Sequence, residues 1–336
     1  MIYPRPIVQT DAVRPSGAVP LAGGWCWFDR VELLERGAPG RIVEARALPP
    51  DTLDRLSAPR PALSGLTLDR PRIMGILNVT PDSFSDGGRF LGTGAALTQG
   101  RALVLAGAEI LDIGGESTRP GAGDVPVKAE IARTVPVIAE LVAGGMSTPI
   151  SIDTRKADVA KAALAAGAAM VNDVSALTFD AGMVQALAAT DVPIVLMHSI
   201  GSPKTMQDDP RYSDVLIDVY DALSARVEAV VAAGLARNRI VIDPGIGFGK
   251  TVAHNLALIR GISLFHALGL PILLGASRKR FIGTIVGEPV PDQRLAGSLA
   301  VALAGVAQGV QVLRVHDVVE TRQALALWRA IGEGLA

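Results

Sequence analysis

The stretch Ile73-Met74-Gly75-Ile76-Leu77-Asn78-Val79, running directly into Thr80-Pro81-Asp82-Ser83-Phe84-Ser85-Asp86-Gly87-Gly88, sets the pattern for most of the chain. The apolar run is too short for an ordinary helix and reads as a strand covered on both faces, and the polar, glycine-rich segment after it reads as a loop. Similar runs recur at 109–113, 149–152, 169–171, 193–197, 239–242, 271–274 and 310–315, each closed by a Gly, Asp or Ser cluster. Segments such as 156–166, 214–233 and 292–308 lie between them and suit Ala-rich or amphipathic helices. Repeated β-then-α order argues for a parallel sheet. Eight such units in about 265 residues favour a closed barrel over a doubly wound open sheet. The expected fold class is α/β, a (β/α)8 TIM barrel over residues 72–336, with its site at the C-terminal ends of the strands.

Composition sets the outer limits. Of 336 residues 49% are hydrophobic and 19% charged, which supports a large core and excludes a disordered or collagen-like chain. Lys and Arg total 32 against 33 Asp and Glu, so no positive excess advertises a nucleic-acid or anionic-membrane partner. The single cysteine, Cys26, cannot form an internal disulfide, and His198, His254, His266 and His316 show no metal-ligand spacing with it. No charged leader precedes an apolar run, and the uncharged stretch 296–313 is interrupted by Ser298, Gln308 and three glycines. It reads as a buried helix entering a strand, and the expected location is the cytoplasm. Residues 1–71 are Pro-rich, carry Trp25-Cys26-Trp27-Phe28, and form an extension of unknown role outside the barrel. Within it 31–36 reads as a short helix and 41–48 as a strand. Packing on the barrel or on a second subunit is expected, with disorder as the alternative.

The residues closing the strands form a polar set: Asn78, Asp112, Asp153, Asn172, His198, Asp243, Gly275, and the pair Arg314 and His316. Any one of them could cap the following helix, and Asp153 with Thr154 is a plausible capping pair. As a set they favour a ligand site, because a barrel mouth is where strand-end groups converge. The spacing of two places Arg314 and His316 on one face of the last strand and Leu313 and Val315 on the other.

The loops add to this ring. The 80–88 segment has the composition of a lid. Gly114-Gly115-Glu116-Ser117-Thr118-Arg119-Pro120-Gly121 sets an arginine and two hydroxyls among glycines, where an anion could sit. Ser277-Arg278-Lys279-Arg280 opens a helix and joins three cations to its N-terminal amides near the phosphate position usual for this barrel. The run Gly245-Ile246-Gly247-Phe248-Gly249-Lys250-Thr251 ends like a P-loop, but Pro244 stands where that motif needs glycine. There is no Gly-x-Ser-x-Gly elbow, so catalysis by positioning and electrostatics is expected rather than covalent attack.

The 75–88 stretch resembles the signature of dihydropteroate synthase. The blocks 114–121, Ser151-Ile152-Asp153-Thr154, Asn172-Asp173, Asp243 to Lys250, Ser277-Arg278-Lys279 and Arg314-Val315-His316-Asp317 are similar to that family's motifs in the same order. The resemblance covers the chain from Arg72 to the end of the eighth strand. It implies condensation of 6-hydroxymethyl-7,8-dihydropterin pyrophosphate with 4-aminobenzoate, giving 7,8-dihydropteroate and pyrophosphate for folate synthesis. By the same resemblance Lys279, Arg314 and His316 are catalytic, and Thr118, Asp153, Asn172, Asp243, Lys279, Arg314 and His316 bind pterin and pyrophosphate. Phe84, Asp86, Thr118, Pro120, Phe248 and Lys279 form the 4-aminobenzoate pocket, and Asn78 holds Mg²⁺. Sulfonamide competition and a homodimer are implied as well. The sequence departs from the family at Arg280, where serine is frequent, and at Ser199-Ile200 after Met197-His198.

Other readings are weaker. A pterin-binding methyltransferase domain shares the barrel but has no use for the 80–88 loop or the Arg314 and His316 pair. A non-catalytic pterin binder would leave the intact motifs idle. A Schiff-base aldolase would need Lys250 inside a strand rather than several residues beyond one.

Overall fold

The computed structural model describes residues 1–79, 89–117, 123–201 and 205–333, side chains excepted at 89–91 and 333. The chain begins with short elements: β1 (Ile2–Pro6), β2 (Val19–Pro20), β3 (Trp27–Phe28), β4 (Arg30–Glu35), β5 (Ala38–Glu44) and α1 (Pro50–Ser57). Alternation then sets in with β6 (Arg72–Asn78), α2 (Arg89–Ala106), β7 (Ile110–Gly114), α3 (Val127–Ala143), β8 (Ile150–Asp153) and α4 (Ala157–Ala165). It continues through β9 (Met170–Asp173), α5 (Met183–Ala188), β10 (Ile194–Met197), α6 (Val215–Ala232), β11 (Ile240–Asp243) and α7 (Val252–Arg260). The last elements are β12 (Leu273–Leu274), α8 (Arg280–Val286), α9 (Leu295–Val306), β13 (Val312–Val315) and α10 (Val318–Glu333).

Strands β6 to β13 fall on the eight apolar runs. They pair in parallel in the order β11-β10-β9-β8-β7-β6-β13-β12, and a parallel bridge between Ile242 and Ile272 joins the two ends. The fold is the expected (β/α)8 barrel.

Because neighbouring strand residues point to opposite faces, each strand serves two cores. Ile73, Leu111, Ile152, Leu196, Ile242 and Leu313 belong to the large apolar layer shared with the helices. Met74, Ile110, Met170, Val195, Val241, Leu273 and Val312 form a separate cluster in the lumen. Two residues farther along, the inward position changes character: Ile110 gives way to Asp112, Met170 to Asn172, Val241 to Asp243 and Val312 to Arg314. The lumen is therefore apolar toward the strand starts and polar toward the strand ends. Leu63 and Leu66 are joined by an antiparallel bridge, and Leu63 and Leu68 complete the lumen cluster. Chain preceding β6 thus closes the N-terminal end of the barrel.

The first residues form an antiparallel sheet, β1-β4-β5, and a small β2-β3 ladder. Phe28, Val31, Leu21 and Leu56 make a core that reaches Ala267, and Tyr3 packs with Ile217 of α6 and Leu264 of the 3-10 segment Ile262–Leu268. The extension thus lies against the barrel, in line with the packing expected. The short helix expected at 31–36 is instead β4. Leu and Glu are good helix formers, but intrinsic propensity is small beside tertiary context, and here pairing with both β1 and β5, burial of Val31 and the Arg5 bond to Glu32 at 2.7 Å outweigh it. The strand expected at 41–48 ends at Glu44, and Ala45–Ala47 turns as a 3-10 helix. Among the described residues no helix is long and apolar enough to cross a membrane; the uncharged stretch forms α9 and enters β13.

Candidate active site

The polar strand ends meet at the C-terminal mouth. Arg314, inward on β13, donates from Nε to Asp112 Oδ2 and from Nη2 to Asp153 Oδ2, both at 2.6 Å. Asn172 Nδ2 donates to the same Asp112 oxygen at 3.2 Å. Strands β7, β8, β9 and β13 are so tied across the lumen by one guanidinium and one amide. The other oxygen of Asp112, Oδ1, is buried and makes no hydrogen bond. Asp243 accepts the Gly245 N–H through Oδ1 at 2.7 Å. A Cβ placed on Gly275 would lie 3.7 Å from Asp243 Oδ2 and 3.8 Å from Arg314 Cβ, so the bare backbone there keeps space beside the carboxylate.

The two readings of Asp153 are now separable. It turns into the lumen, and the first N–H of α4, on Ala157, is met by Asp180 Oδ2 at 2.8 Å. Thr154 donates to Glu130 at 2.6 Å, within a buried network in which Lys156 bridges Glu116 and Glu130 and Arg155 holds Glu116 at 3.0 Å. That network fixes the start of the loop after β7.

Of the three cations after β12, only Lys279 faces the ring. Its Nζ donates to the Ile246 carbonyl and lies 4.5 Å from the centre of the Phe248 ring. Arg278 turns away to Asp317, at 3.0 Å, and to Asp292, and Arg280 is exposed. The expected three-cation cluster at the helix start is therefore a single ammonium. His316 Nδ1 lies 3.1 Å from Ser277 Oγ, which ties the end of β13 to the turn after β12. Asn78, at the end of β6, stands in register with Gly114, its Oδ1 3.8 Å from where a Cβ on Gly114 would be. Phe84, Asp86, Thr118 and Pro120, and with them the whole 80–88 loop, lie outside the described residues.

Burial and crowding of like charges shift these groups. Burial raises the Asp153 carboxyl, Arg314 opposing and Asp112 adding to the rise. Burial likewise raises Asp243, opposed by Lys279 and the Gly245 N–H. It lowers Lys279 to about 8 against the pull of Asp243. Burial also works against the charge on Arg314, but Asp112 and Asp153 hold its proton more firmly than usual. The wall is thus rich in acceptors that a ligand's N–H donors can satisfy, with two cationic donors beside them.

Sequence reasoning gave three groups here no individual role, although Asp112 and His198 stand in the strand-end set. Asp112 was visible as a strand-end residue, but belongs to no motif; its inward parity after Ile110 was the available signal. Lys250 and His198 form a buried couple, Nζ to Nδ1 3.0 Å. Burial lowers Lys250 to about 7, and burial followed by the Lys250 charge lowers His198 to about 3. A cavity of about 570 Å³, walled by Val174, Met197, His198, Met206, Arg226 and Phe248, opens beside the ring rather than over it. The lumen itself is spanned by the Arg314 side chain.

Residues 74–316 match the family described as pterin binding enzyme. A dihydropteroate synthase of Neisseria meningitidis serogroup B is 49% identical over 274 residues, which is 80% of this chain and 95% of that protein. The Xanthomonas albilineans dihydropteroate synthase solved with 4-aminobenzoic acid is 48% identical with a TM-score of 0.77, over 83% of this chain and 99% of that one. The Xanthomonas albilineans enzyme in complex with 7,8-dihydropteroate superposes with a TM-score of 0.72 at 43% identity, over 83% and 100%. The chain belongs to the pterin-binding enzyme family, among its dihydropteroate synthases.

Proposed function

We propose that the chain joins 6-hydroxymethyl-7,8-dihydropterin pyrophosphate to 4-aminobenzoate, forming 7,8-dihydropteroate and releasing pyrophosphate. The observation that carries this is the ring of acceptors, Asp243, Asp153 and Asn172, facing Lys279 and Arg314 at one barrel mouth. A dihydropterin presents an amino group and ring N–H groups to carboxylates, which accept them in charge-assisted bonds. Lys279 serves the ring's acceptor side, and Arg314 lies against its face.

Breaking the bond between the methylene carbon and the pyrophosphate oxygen leaves a cationic methylene conjugated with the ring. The aminobenzoate nitrogen attacks that carbon and then loses its proton, so no strong general base is required. Arg314 and His316 offset the charge of the leaving group, and the Thr118 hydroxyl donates a hydrogen bond to it. Phe84, Asp86, Thr118, Pro120, Phe248 and Lys279 form the aminobenzoate pocket, where sulfonamides compete. Among the described residues no three His, Cys, Asp or Glu side chains converge on a cation site. A Mg²⁺ ion takes few protein ligands and fills its shell with phosphate oxygens and water, and the hard amide oxygen of Asn78 suits that role. When bound, the ion supplies charge neutralisation for pyrophosphate.

Exposed Leu256, Ile285 and Val286, with Ala296, Ala300 and Ala304 of α9, lie on the neighbouring helices α7, α8 and α9 and offer an apolar face for a homodimer. The free, buried Cys26 fits a reducing cytoplasm. The test is to follow pyrophosphate and dihydropteroate together, with Mg²⁺, in the presence and absence of 4-aminobenzoate. Product formation that requires both substrates is expected; pterin binding without turnover would overturn the reading.

A further inference from the structure

Residues ahead of the matched 74–316 region have no part in the site as built so far, yet one of their side chains joins a polar path that ends there. Arg36, between β4 and β5, donates from Nη1 to Asp218 at 2.5 Å and from Nη2 to Asp221 at 2.8 Å, both in the first two turns of α6. Tyr3 donates to the same Asp221 at 3.0 Å. The second oxygen of Asp218 accepts the N–H groups of Ser213 at 2.8 Å and Asp214 at 3.2 Å, which fixes the turn that opens α6. The residue before that turn, Tyr212, donates its hydroxyl to the Gly249 carbonyl at 2.9 Å. Earlier in the same segment, Gln207 Nε2 donates to the Gly247 carbonyl at 2.6 Å.

The receiving loop is rich in glycine, with one internal turn bond from the Phe248 N–H to the Gly245 carbonyl at 3.1 Å. Gly245, Gly247 and Gly249 all take positive φ, at 69°, 83° and 61°, and glycine pays the largest entropy to be held there. Side chains hold three successive carbonyls in it: Gly247 by Gln207, Phe248 by Lys250 at 2.9 Å, and Gly249 by Tyr212. One of these three bonds comes from Tyr212, the residue directly before the turn that Asp218 holds. Phe248, at the centre, carries the ring that Lys279 faces.

We infer that the N-terminal segment is a brace for the aminobenzoate side of the site, with Arg36 as a positioning residue acting through Asp218 and Tyr212 on the Phe248 loop. This rests on the assignment of Phe248 to the aminobenzoate pocket. An exposed ion pair contributes little to global stability. The brace therefore predicts an effect on the loop out of proportion to any effect on melting.

The test uses the full chain with Arg36→Ala, Tyr212→Phe and the double variant. In Arg36→Ala the KM for 4-aminobenzoate should rise about threefold or more, with the pterin pyrophosphate KM and kcat held and Tm within about 2 °C, the scale of a surface pair. Amide exchange in 245–250 should quicken in the same variant, and Arg36→Lys should restore part of both. Tyr212→Phe should act in the same direction, and the double variant should fall short of the product of the single effects, as for groups in one path. Unchanged exchange and unchanged KM in Arg36→Ala, strictly multiplicative effects, or a Tm drop of several degrees with both KM values rising together would overturn the brace. If the parent makes no dihydropteroate, the functional reading fails by itself, and exchange in 245–250 still decides the brace.

Discussion

Asp243 spends one oxygen on its own loop, at Gly245, and keeps the other beside the open backbone of Gly275. Asp243→Asn should therefore preserve the fold yet weaken binding of a pterin analogue by about 100-fold, near 3 kcal/mol, because a charge-assisted acceptor is lost in a desolvated site; calorimetric titration checks it. Lys279 gives a pH signature. Burial lowers it to about 8, so its positive charge is present below that value and fades as pH rises through it. The pH profile of kcat/KM should fall on an alkaline limb near 8, and in Lys279→Arg that limb should vanish, since guanidinium stays protonated. Of the residues that the motifs name, Asp153, Asn172, Asp243, Lys279 and Arg314 stand together at one barrel mouth, while Phe84, Asp86, Thr118 and Pro120 lie outside the described residues. Asp112 is legible only as a member of the strand-end set, because its part in the ring is a contact between strands. Pairing of β7 and β13 on either side of β6, far apart in sequence, is what brings Asp112 to Arg314.

The elements follow the same division. Eight apolar runs were legible because period and length set by burial on both faces are local properties, although β12, with two paired residues, is far shorter than the run that encodes it. The stretch 31–36 was not legible as a strand, since its partners β1 and β5 are distant or weakly patterned and its own residues favour helix slightly. The turn after β11 yields the sharpest test of an element. Gly245 sits at φ 69°, and a Cβ there would come 1.8 Å from the His198 carbonyl oxygen, a backbone group that cannot rotate aside. Gly245→Ala should cost about 3 kcal/mol or more in urea unfolding and remove activity even where the protein stays folded, because the turn that carries Phe248 must shift.

For the whole molecule, buried histidines set a pH dependence. His266 is fully buried, donates from Nε2 to the Gln308 carbonyl at 2.9 Å, and has no partner at Nδ1. Burial, then the nearby Arg60 charge, lowers it to about 3. Between the ordinary value of about 6.5 and that lowered one, the unfolded chain binds a proton that the folded chain refuses, so stability declines as pH falls through this window. The raised carboxyls of Asp153 and Asp243 act in the opposite sense, so the comparison must be with a variant. His266→Gln should make the unfolding free energy less steep with pH by about one proton between pH 6.5 and 4. The hairpin of Leu63 and Leu66, with Leu68, has a consequence of another kind. A cylinder stoppered at one end has a single door, so traffic through it is last in, first out. On the proposed seating, with the pterin deepest, the pterin is expected to arrive before the aminobenzoate and not to exchange beneath it. Trapping experiments with labelled pterin should show its escape slowed as 4-aminobenzoate or a sulfonamide is raised, whereas escape at an unchanged rate would mean a second exit.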